Sequence, residues 1–348
     1  MRIHGALLTA MVALSHLLEG ALAEKAWNQL EAASVLQWPG DCNPSECVDF
    51  EMDETIQETA LLADSASKAI DIILGTKTNN VVPKTTTNKR FLEAAKYMFN
   101  VDFGDAPDNP KKSWAVEQDK RFVLQNYDNI RNLVYGVGDY AKPKMLCGDG
   151  DVEFVTKMGQ IGGKPEDEPI WRAMKEDEKT TPGWWISNWY SPRDKNNKLI
   201  EDLVVRLMTN EKICSGAING FGPTVGETFY FERIMVLCDR FFSYAPLTRL
   251  IEDQKSLAVG SLIDKTQKTR GGYFLHEALH WLDRDMKDQD IDIGQGMQAA
   301  YGWERCAALA KQGVRVKEAR FNPDNYHWFA VAVVLHEVTW DSNGQKVS

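Results

Sequence analysis

Apolar positions at helical spacing predict three helices in the first part of the chain. Over 54–74 the apolar residues share one helical face: Ile56, Ala60, Ala63, Ile70 and Ile73. Thr55 and Glu58 have the spacing of a capping box, which favours a helix that begins just before them. Similar patterns predict two further helices over 89–99 and 117–135. We therefore expect this part of the chain to be helical.

Short runs of β-branched, aromatic and aliphatic residues follow. Residues 202–209 and 227–238 have this composition and are predicted to be strands. The stretch 156–200 is rich in Gly, Pro and charged residues, and we interpret it as a surface excursion with a short strand at its aromatic patch, 184–190. Together with the helices, these strands predict an α+β fold that is mostly helical with a small antiparallel sheet.

The N-terminus has the pattern of a secretory signal peptide. Arg2 supplies a positive charge, residues 6–14 are apolar, and Ala21 and Ala23 offer small residues for cleavage. The apolar run is too short for a membrane anchor, which needs about 20 residues. We therefore expect a secreted, extracellular protein. The chain then divides into a signal peptide at 1–23, an irregular lead-in at 24–52 and one catalytic domain at 53–348, with 156–200 as a surface insertion.

The net charge indicates which binding partners do not suit this protein, and the cysteine content indicates whether disulfides are expected. The 40 Lys and Arg against 50 Asp and Glu give a net charge of −10, and this balance, without a basic run, argues against nucleic acid and anionic membranes as partners. Six cysteines in an exported protein indicate up to three disulfides. Cys42 and Cys47 are expected to pair locally. No CxxC pair is present, which disfavours a zinc site built from cysteines.

One segment carries the decisive chemistry, because His276, Glu277 and His280 form an HExxH motif. Residues four apart on a helix lie on the same face, so both imidazoles can reach one metal ion. Leucines at 275, 279 and 282 form the opposite, core-facing stripe and support a helix here. The motif predicts one zinc ion (Zn2+) with the two histidines as ligands. Glu277 is predicted to be the general base that takes a proton from a zinc-activated water.

A catalytic zinc site needs a third protein ligand, which leaves the fourth position for water. No HExxHxxGxxH pattern follows His280, so a carboxylate is expected in this role. One candidate region is the acidic turn 288–294, in which Asp290 or Asp292 would fold back onto the helix. The other candidate is Glu304, in a second helix further along the chain.

Short segments around the motif recur in the same order in a known family: 236–242 (VLCDRFF), 276–280 (HEALH), the acidic turn, 300–302 (AYG), 306–310 (CAALA) and 322–326 (NPDNY). In these segments the sequence resembles the aspzincins, the deuterolysin and peptidyl-Lys metalloendopeptidase group of secreted, largely fungal zinc endopeptidases. The resemblance spans residues 225–335 and implies a zincin-like catalytic domain. It also implies that Tyr301 helps to stabilise the oxyanion.

The sequence departs from the family pattern at the third ligand. In the aspzincins this ligand is an aspartate, usually three residues before the tyrosine that Tyr301 matches. Gln298 occupies that position here. A shifted loop would present an aspartate of the acidic turn instead. We favour Asp292 as the third zinc ligand, with Asp290 and Glu304 as alternatives, since zinc accepts a carboxylate in this role.

The expected function is peptide-bond hydrolysis by a secreted zinc metalloendopeptidase. Its partners are expected to be protein or peptide substrates, with no nucleic acid and no membrane, and it is expected to act as a monomer. Substrate would lie extended along the strand predicted over 227–238. The alternative is a secreted zinc-binding protein or effector without proteolytic turnover. The displaced third ligand favours that alternative, whereas Glu277 disfavours it, because binding alone needs only the ligands.

Overall fold

The computed structural model describes residues 27–37, 49–74, 86–100, 110–138, 142–147, 152–155, 183–187, 204–207, 214, 225–229, 234–294, 296–312 and 318–347. The predicted signal peptide and the predicted Cys42–Cys47 disulfide lie outside these residues. So does most of the predicted insertion, apart from 183–187.

The helices within the described residues are numbered here in chain order: α1 (Ala32–Val35), α2 (Asp49–Leu74), α3 (Thr86–Phe99), α4 (Pro110–Val134), α5 (Asp239–Phe242), α6 (Leu247–Asp253), α7 (Ile263–Thr266), α8 (Arg270–Leu282), α9 (Trp303–Lys311) and α10 (Pro323–Val334). Short 3-10 turns stand at Trp27–Gln29, Gln254–Ser256 and Glu318–Phe321. The helices predicted over 54–74, 89–99 and 117–135 are confirmed as α2, α3 and α4, each of which begins earlier than its sequence pattern indicates.

The described strands are short: β1 (Lys144–Cys147), β2 (Val152–Val155), β3 (Gly183–Ser187), β4 (Val204–Leu207), β5 (Gly226–Phe229), β6 (Ile234–Leu237), β7 (Asp290–Asp292) and β8 (Met297–Ala299). One sheet has the order β1-β6-β5, with β1 parallel to β6 and β5 antiparallel to it. A second, antiparallel sheet has the order β2-β3-β4, and β7 pairs with β8 in a hairpin. The α+β class is confirmed.

Two features of the predicted sheet are corrected by these strands. The segment 227–238 was expected to be one strand, but it forms the two strands β5 and β6, which pair with each other. The sheet that contains them is mixed, since β1 runs parallel to β6, whereas the sheet β2-β3-β4 is antiparallel, as predicted. The short strand expected at the aromatic patch is confirmed as β3.

Helix α8 lies at the centre of the hydrophobic core. It packs against α2, α10 and β5, and its apolar face, which includes Phe274, Leu275 and Leu279, is fully buried. The short segment 27–37 also joins this core through Leu30 and other apolar residues, so the predicted lead-in is partly ordered against the domain. Burial of each such side chain stabilises the fold by about 1.5–3 kcal/mol.

Two glycines at the start of α8 allow this close packing. A Cβ atom at Gly271 would lie 2.4 Å from the Cβ atom of Glu58 in α2, and one at Gly272 would lie 2.4 Å from Nε2 of His327 in α10. Carbon and nitrogen atoms do not approach that closely. The two glycines therefore set the distance of α8 from its neighbours on both sides.

The N-terminus of α8 is capped by a carboxylate from another helix. Thr269 accepts from the backbone N–H of Gly272 at 2.9 Å, and Glu58 accepts from the N–H of Gly271 at 3.0 Å. The second oxygen of Glu58 accepts from the N–H of Leu247, at the start of α6. The capping box expected at Thr55 and Glu58 is therefore wrong, because both residues lie inside α2 and Glu58 caps two other helices.

The cysteines give one disulfide and one free thiol among the described residues. Cys214 and Cys238 are bonded, with their Cα atoms 5.2 Å apart. Cys306 is a buried free thiol in α9, so the six cysteines cannot form the three disulfides that their number allows.

Among the described residues, no helix combines the length and the apolar composition that a membrane span requires.

Candidate metal centre

Helix α8 presents its two histidines toward one point. The Nε2 atoms of His276 and His280 lie 3.2 Å apart, as expected for residues four apart on one helical face. Nδ1 of His280 lies 2.8 Å from the carbonyl oxygen of Met286. A carbonyl only accepts hydrogen bonds, so Nδ1 carries the proton and Nε2 presents its lone pair to the site.

Asp288 completes a group of three donors. Its Oδ1 atom lies 3.3 Å from Nε2 of His276 and 3.5 Å from Nε2 of His280. Ligand atoms at about 2.0–2.2 Å from a tetrahedral zinc ion lie about 3.3–3.5 Å from one another. The measured spacing of two imidazole nitrogens and one carboxylate oxygen therefore fits a zinc ion in both geometry and donor chemistry.

The acidic residues favoured from the sequence stand elsewhere. Asp292 is exposed on β7, and its Oδ1 accepts from the N–H of Gly294 at 2.8 Å. Asp290 lines the adjoining cleft, and Glu304 is exposed in the first turn of α9. None of the three belongs to the group of donors found among the described residues. The third ligand that the geometry favours is therefore Asp288, in place of Asp292.

Glu277 follows the first histidine on α8 and is held by the neighbouring strand. The hydroxyl of Thr228 in β5 donates to Glu277 Oε2 at 2.7 Å. Gly226, in the same strand, also lies against Glu277, because a Cβ atom there would stand 3.4 Å from Cγ of Glu277, at the edge of ordinary van der Waals contact. One carboxylate oxygen of Glu277 is thus fixed beside the three donors.

The electrostatics of the group favour a positive charge between its members. Burial raises the pKa of Asp288, but hydrogen bonding to His276 and His280 outweighs burial and lowers that pKa well below its usual range. Burial lowers the pKa of His276, whereas the carboxylates of Asp288 and Asp324, each 3.3 Å from one of its ring nitrogens, raise it well above its usual value. Three converging lone pairs attract either protons or a metal cation.

Tyr301 stands at the rim of the site, 39% exposed. Its hydroxyl donates to Asp288 Oδ2, the oxygen that does not face the histidines. Burial and the negative charge of Asp288 raise the pKa of Tyr301 above its usual value, so its hydroxyl keeps its proton at neutral pH. The structure therefore brings Tyr301 to the site, with its donor directed at the carboxylate of Asp288.

A cleft of about 800 Å³ opens over these residues. Glu227 of β5 lines it, and burial, together with the charges of Glu277 and Asp288, raises the pKa of Glu227 to about 7. Arg240 and Lys268 line the same cleft. A volume of this size accommodates several residues of an extended peptide.

Three residues of the site were missed by reasoning from the sequence: Asp288, Thr228 and Asp324. Asp288 lies in the acidic turn that the sequence singled out, and it is the aspartate of that turn nearest to the helix. Asp324 lies in the NPDNY segment, where Pro323 marks the start of α10. For Thr228 the sequence carries no such signal.

No family model, no curated protein and no solved structure matches this chain.

Proposed function

We propose that this protein is a secreted zinc-dependent endopeptidase with a zincin-like domain, similar to the aspzincins. The observation that carries the proposal is the group of three donors, whose atoms lie 3.2–3.5 Å from one another. A carboxylate, Glu277, stands next to them in sequence and faces the same cleft. This combination of two histidines, an acidic ligand and an adjacent general base is typical of zinc hydrolases.

The proposed ligands are His276, His280 and Asp288. When bound there, zinc would polarise the scissile carbonyl and lower the pKa of water. Glu277 accepts a proton from the attacking water on its carboxylate and passes it to the leaving amine. The hydrogen bond from Thr228 orients that carboxylate through Oε2 and leaves Oε1 for the proton.

Tyr301 is the donor that we assign to the oxyanion of the tetrahedral intermediate, a role in which its single O–H would turn from Asp288 Oδ2 to the oxyanion. Its raised pKa keeps the hydroxyl protonated at neutral pH, which an oxyanion donor requires. Its position at the rim of the cleft supports this role, because a bound substrate can reach it.

The substrates that we propose are extended segments of proteins or peptides. Strand β5 ends the order β1-β6-β5 of the described sheet and touches α8 beside Glu277. An edge strand offers backbone groups with which an extended peptide can pair. We expect no nucleic acid and no membrane as partners, and we expect the protein to act as a monomer.

The test is cleavage of a mixed peptide library by the purified zinc-loaded protein, with Glu277→Gln measured in parallel. Glu337→Gln is a matched control, because Glu337 also follows a histidine but stands at the surface, 3.0 Å from Lys255. We expect cleavage by the parent and by the control, with a loss of about 100-fold or more for Glu277→Gln. A chelator should abolish all cleavage.

Three outcomes would contradict the proposal or one of its parts. A parent protein that binds one equivalent of zinc but cleaves no peptide would favour the alternative, a zinc-binding protein without turnover. A parent protein that binds no zinc at all would exclude both. Equal activity of Glu277→Gln and the parent would remove Glu277 from the proposed mechanism.

A further inference from the structure

Asp324 is a carboxylate that the proposed reaction does not use, although it is almost completely buried, with 4% of its surface exposed. It lies in the first turn of α10. A buried ionised carboxylate is costly unless several donors surround it. The hydrogen-bond donors that surround the Asp324 carboxylate therefore indicate its role.

One oxygen of Asp324 faces two imidazoles. Oδ1 lies 3.3 Å from Nδ1 of His276 and 3.4 Å from Nδ1 of His327. A carboxylate beside Nδ1 favours the tautomer that carries its proton on that nitrogen. In His276 this tautomer leaves the lone pair on Nε2, which is the atom directed at His280 and Asp288.

The other oxygen of Asp324 holds the segment that carries Tyr301. Oδ2 accepts from the backbone N–H of Gly302 at 2.6 Å and from Nε1 of Trp328 at 3.0 Å. Gly302 directly follows Tyr301, whose hydroxyl donates to Asp288. Asp324 thus contacts one proposed ligand directly and reaches another through Gly302 and Tyr301.

We infer that Asp324 is a positioning residue, which holds His276 and Asp288 in the arrangement that binds zinc. The inference rests on the proposed function, since it presupposes a zinc ion at the group of three donors. Asp324 is not one of the three donors. It acts by selecting the tautomer of His276 and by fixing the backbone at Gly302.

The experiment compares zinc affinity, by competition with a chromophoric chelator, in the parent, Asp324→Asn and Trp328→Phe. The amide of Asp324→Asn must turn an N–H toward one of the donors, so we expect zinc to bind about 10- to 100-fold more weakly. Trp328→Phe removes one donor but keeps the carboxylate beside His276, and we expect its affinity to stay within about threefold of the parent. Circular dichroism of each metal-free variant checks its fold.

A second measurement on the zinc-loaded parent does not depend on how the variants fold. Nitrogen-15 spectra of the histidine rings should show the proton of His276 on Nδ1. A proton on Nε2 of His276 would overturn the inference, and so would unchanged zinc affinity in folded Asp324→Asn. If the parent binds no zinc, the proposed function fails, whereas zinc binding that is insensitive to Asp324→Asn removes only the role of Asp324.

Discussion

Thr228 donates its hydroxyl to Glu277 Oε2 at 2.7 Å, and its Oγ1 atom also lies 3.2 Å from the Glu277 carbonyl oxygen. The edge strand β5 and the helix α8 are therefore joined at the residue that we propose as general base. The strand that would pair with substrate thus also orients the carboxylate that would take the proton.

Replacement of Thr228 by Val should lower kcat and leave zinc affinity unchanged. A hydrogen bond to a charged group contributes about 1.5–3 kcal/mol, which corresponds to a decrease in kcat of roughly 10- to 100-fold. Thr266→Val is the matched control, because the hydroxyl of Thr266 bonds only to the carbonyl of Leu262 among the described residues. Steady-state kinetics and zinc competition check both variants. An unchanged kcat in Thr228→Val would contradict the orienting role.

Replacement of Asp288 by Asn should remove most zinc affinity, whereas the same change at Asp292 should not. Among the described residues, Asp288 is the only acidic residue with an oxygen atom close enough to both histidines to share a metal ion with them. Loss of a ligand should weaken zinc binding by more than about 100-fold, since even outer partners of a ligand contribute about 10- to 100-fold. Equilibrium dialysis with metal analysis would measure both variants. Weak binding in Asp292→Asn with normal binding in Asp288→Asn would restore the ligand favoured from sequence.

The sequence singled out the two histidines and Glu277 but not Asp288, the carboxylate that the structure places beside both histidines. An HExxH motif fixes its own geometry through the helix, so spacing alone predicts which atoms converge. The next ligand depends on how sharply the chain turns after α8. The carbonyl oxygen of Met286 accepts a hydrogen bond from Nδ1 of His280, so the chain turns back toward the helix directly after α8. This tight turn places Asp288 beside the histidines, whereas a longer turn would have placed Asp290 or Asp292 there.

An apolar face was enough to predict α2, α3 and α4 from the sequence. The start of a helix was predicted poorly where a polar residue that looked like a local cap instead caps a different helix. The pattern that predicted α2 is correct, and the helix ends at Leu74 as expected. Its start was misplaced because Glu58 was interpreted as a local cap, whereas it caps α8 and α6. A local capping box has a fixed spacing in the sequence, whereas a cap supplied by a distant helix has none, so the sequence does not reveal it.

Glu58 should make folding stability depend on pH. Burial raises its pKa from 4.5 to about 7, so the folded protein holds this proton more tightly than the unfolded chain does. Stability from this group is therefore greatest below pH 4.5 and is lost as the pH rises to 7, by about 3 kcal/mol for such a difference in pKa.

The comparison with Glu58→Gln isolates this contribution, because other titrating groups cancel in the difference. Urea unfolding of both proteins from pH 4.5 to 7.5, without metal, gives the free energy of unfolding at each pH. The stability of the parent relative to Glu58→Gln should fall across this range. A difference that does not vary with pH would show that Glu58 titrates normally.

Replacement of Gly272 by Ala should destabilise the fold by about 1–3 kcal/mol through overpacking. The new Cβ atom would lie 2.4 Å from Nε2 of His327. In the background of His327→Ala the closest remaining contact of the new Cβ atom is Thr269 Oγ1 at 3.0 Å, so the same change should cost less. Thermal unfolding of the four proteins forms a double-mutant cycle. Equal costs in both backgrounds would indicate that α8 and α10 separate freely.

The proposed zinc ligands all come from one short stretch, residues 276–288, and this has a consequence for the order of assembly. A loop this short closes at small entropic cost, so the donors can meet before the long-range contacts of α2 and α10 form. Zinc would then also bind the unfolded chain, which would reduce the net stabilisation of the native state by the metal. Asp324 lies in α10, far along the chain from the three ligands. Packing of α10 would therefore strengthen zinc binding late in folding, after the ligands themselves had come together.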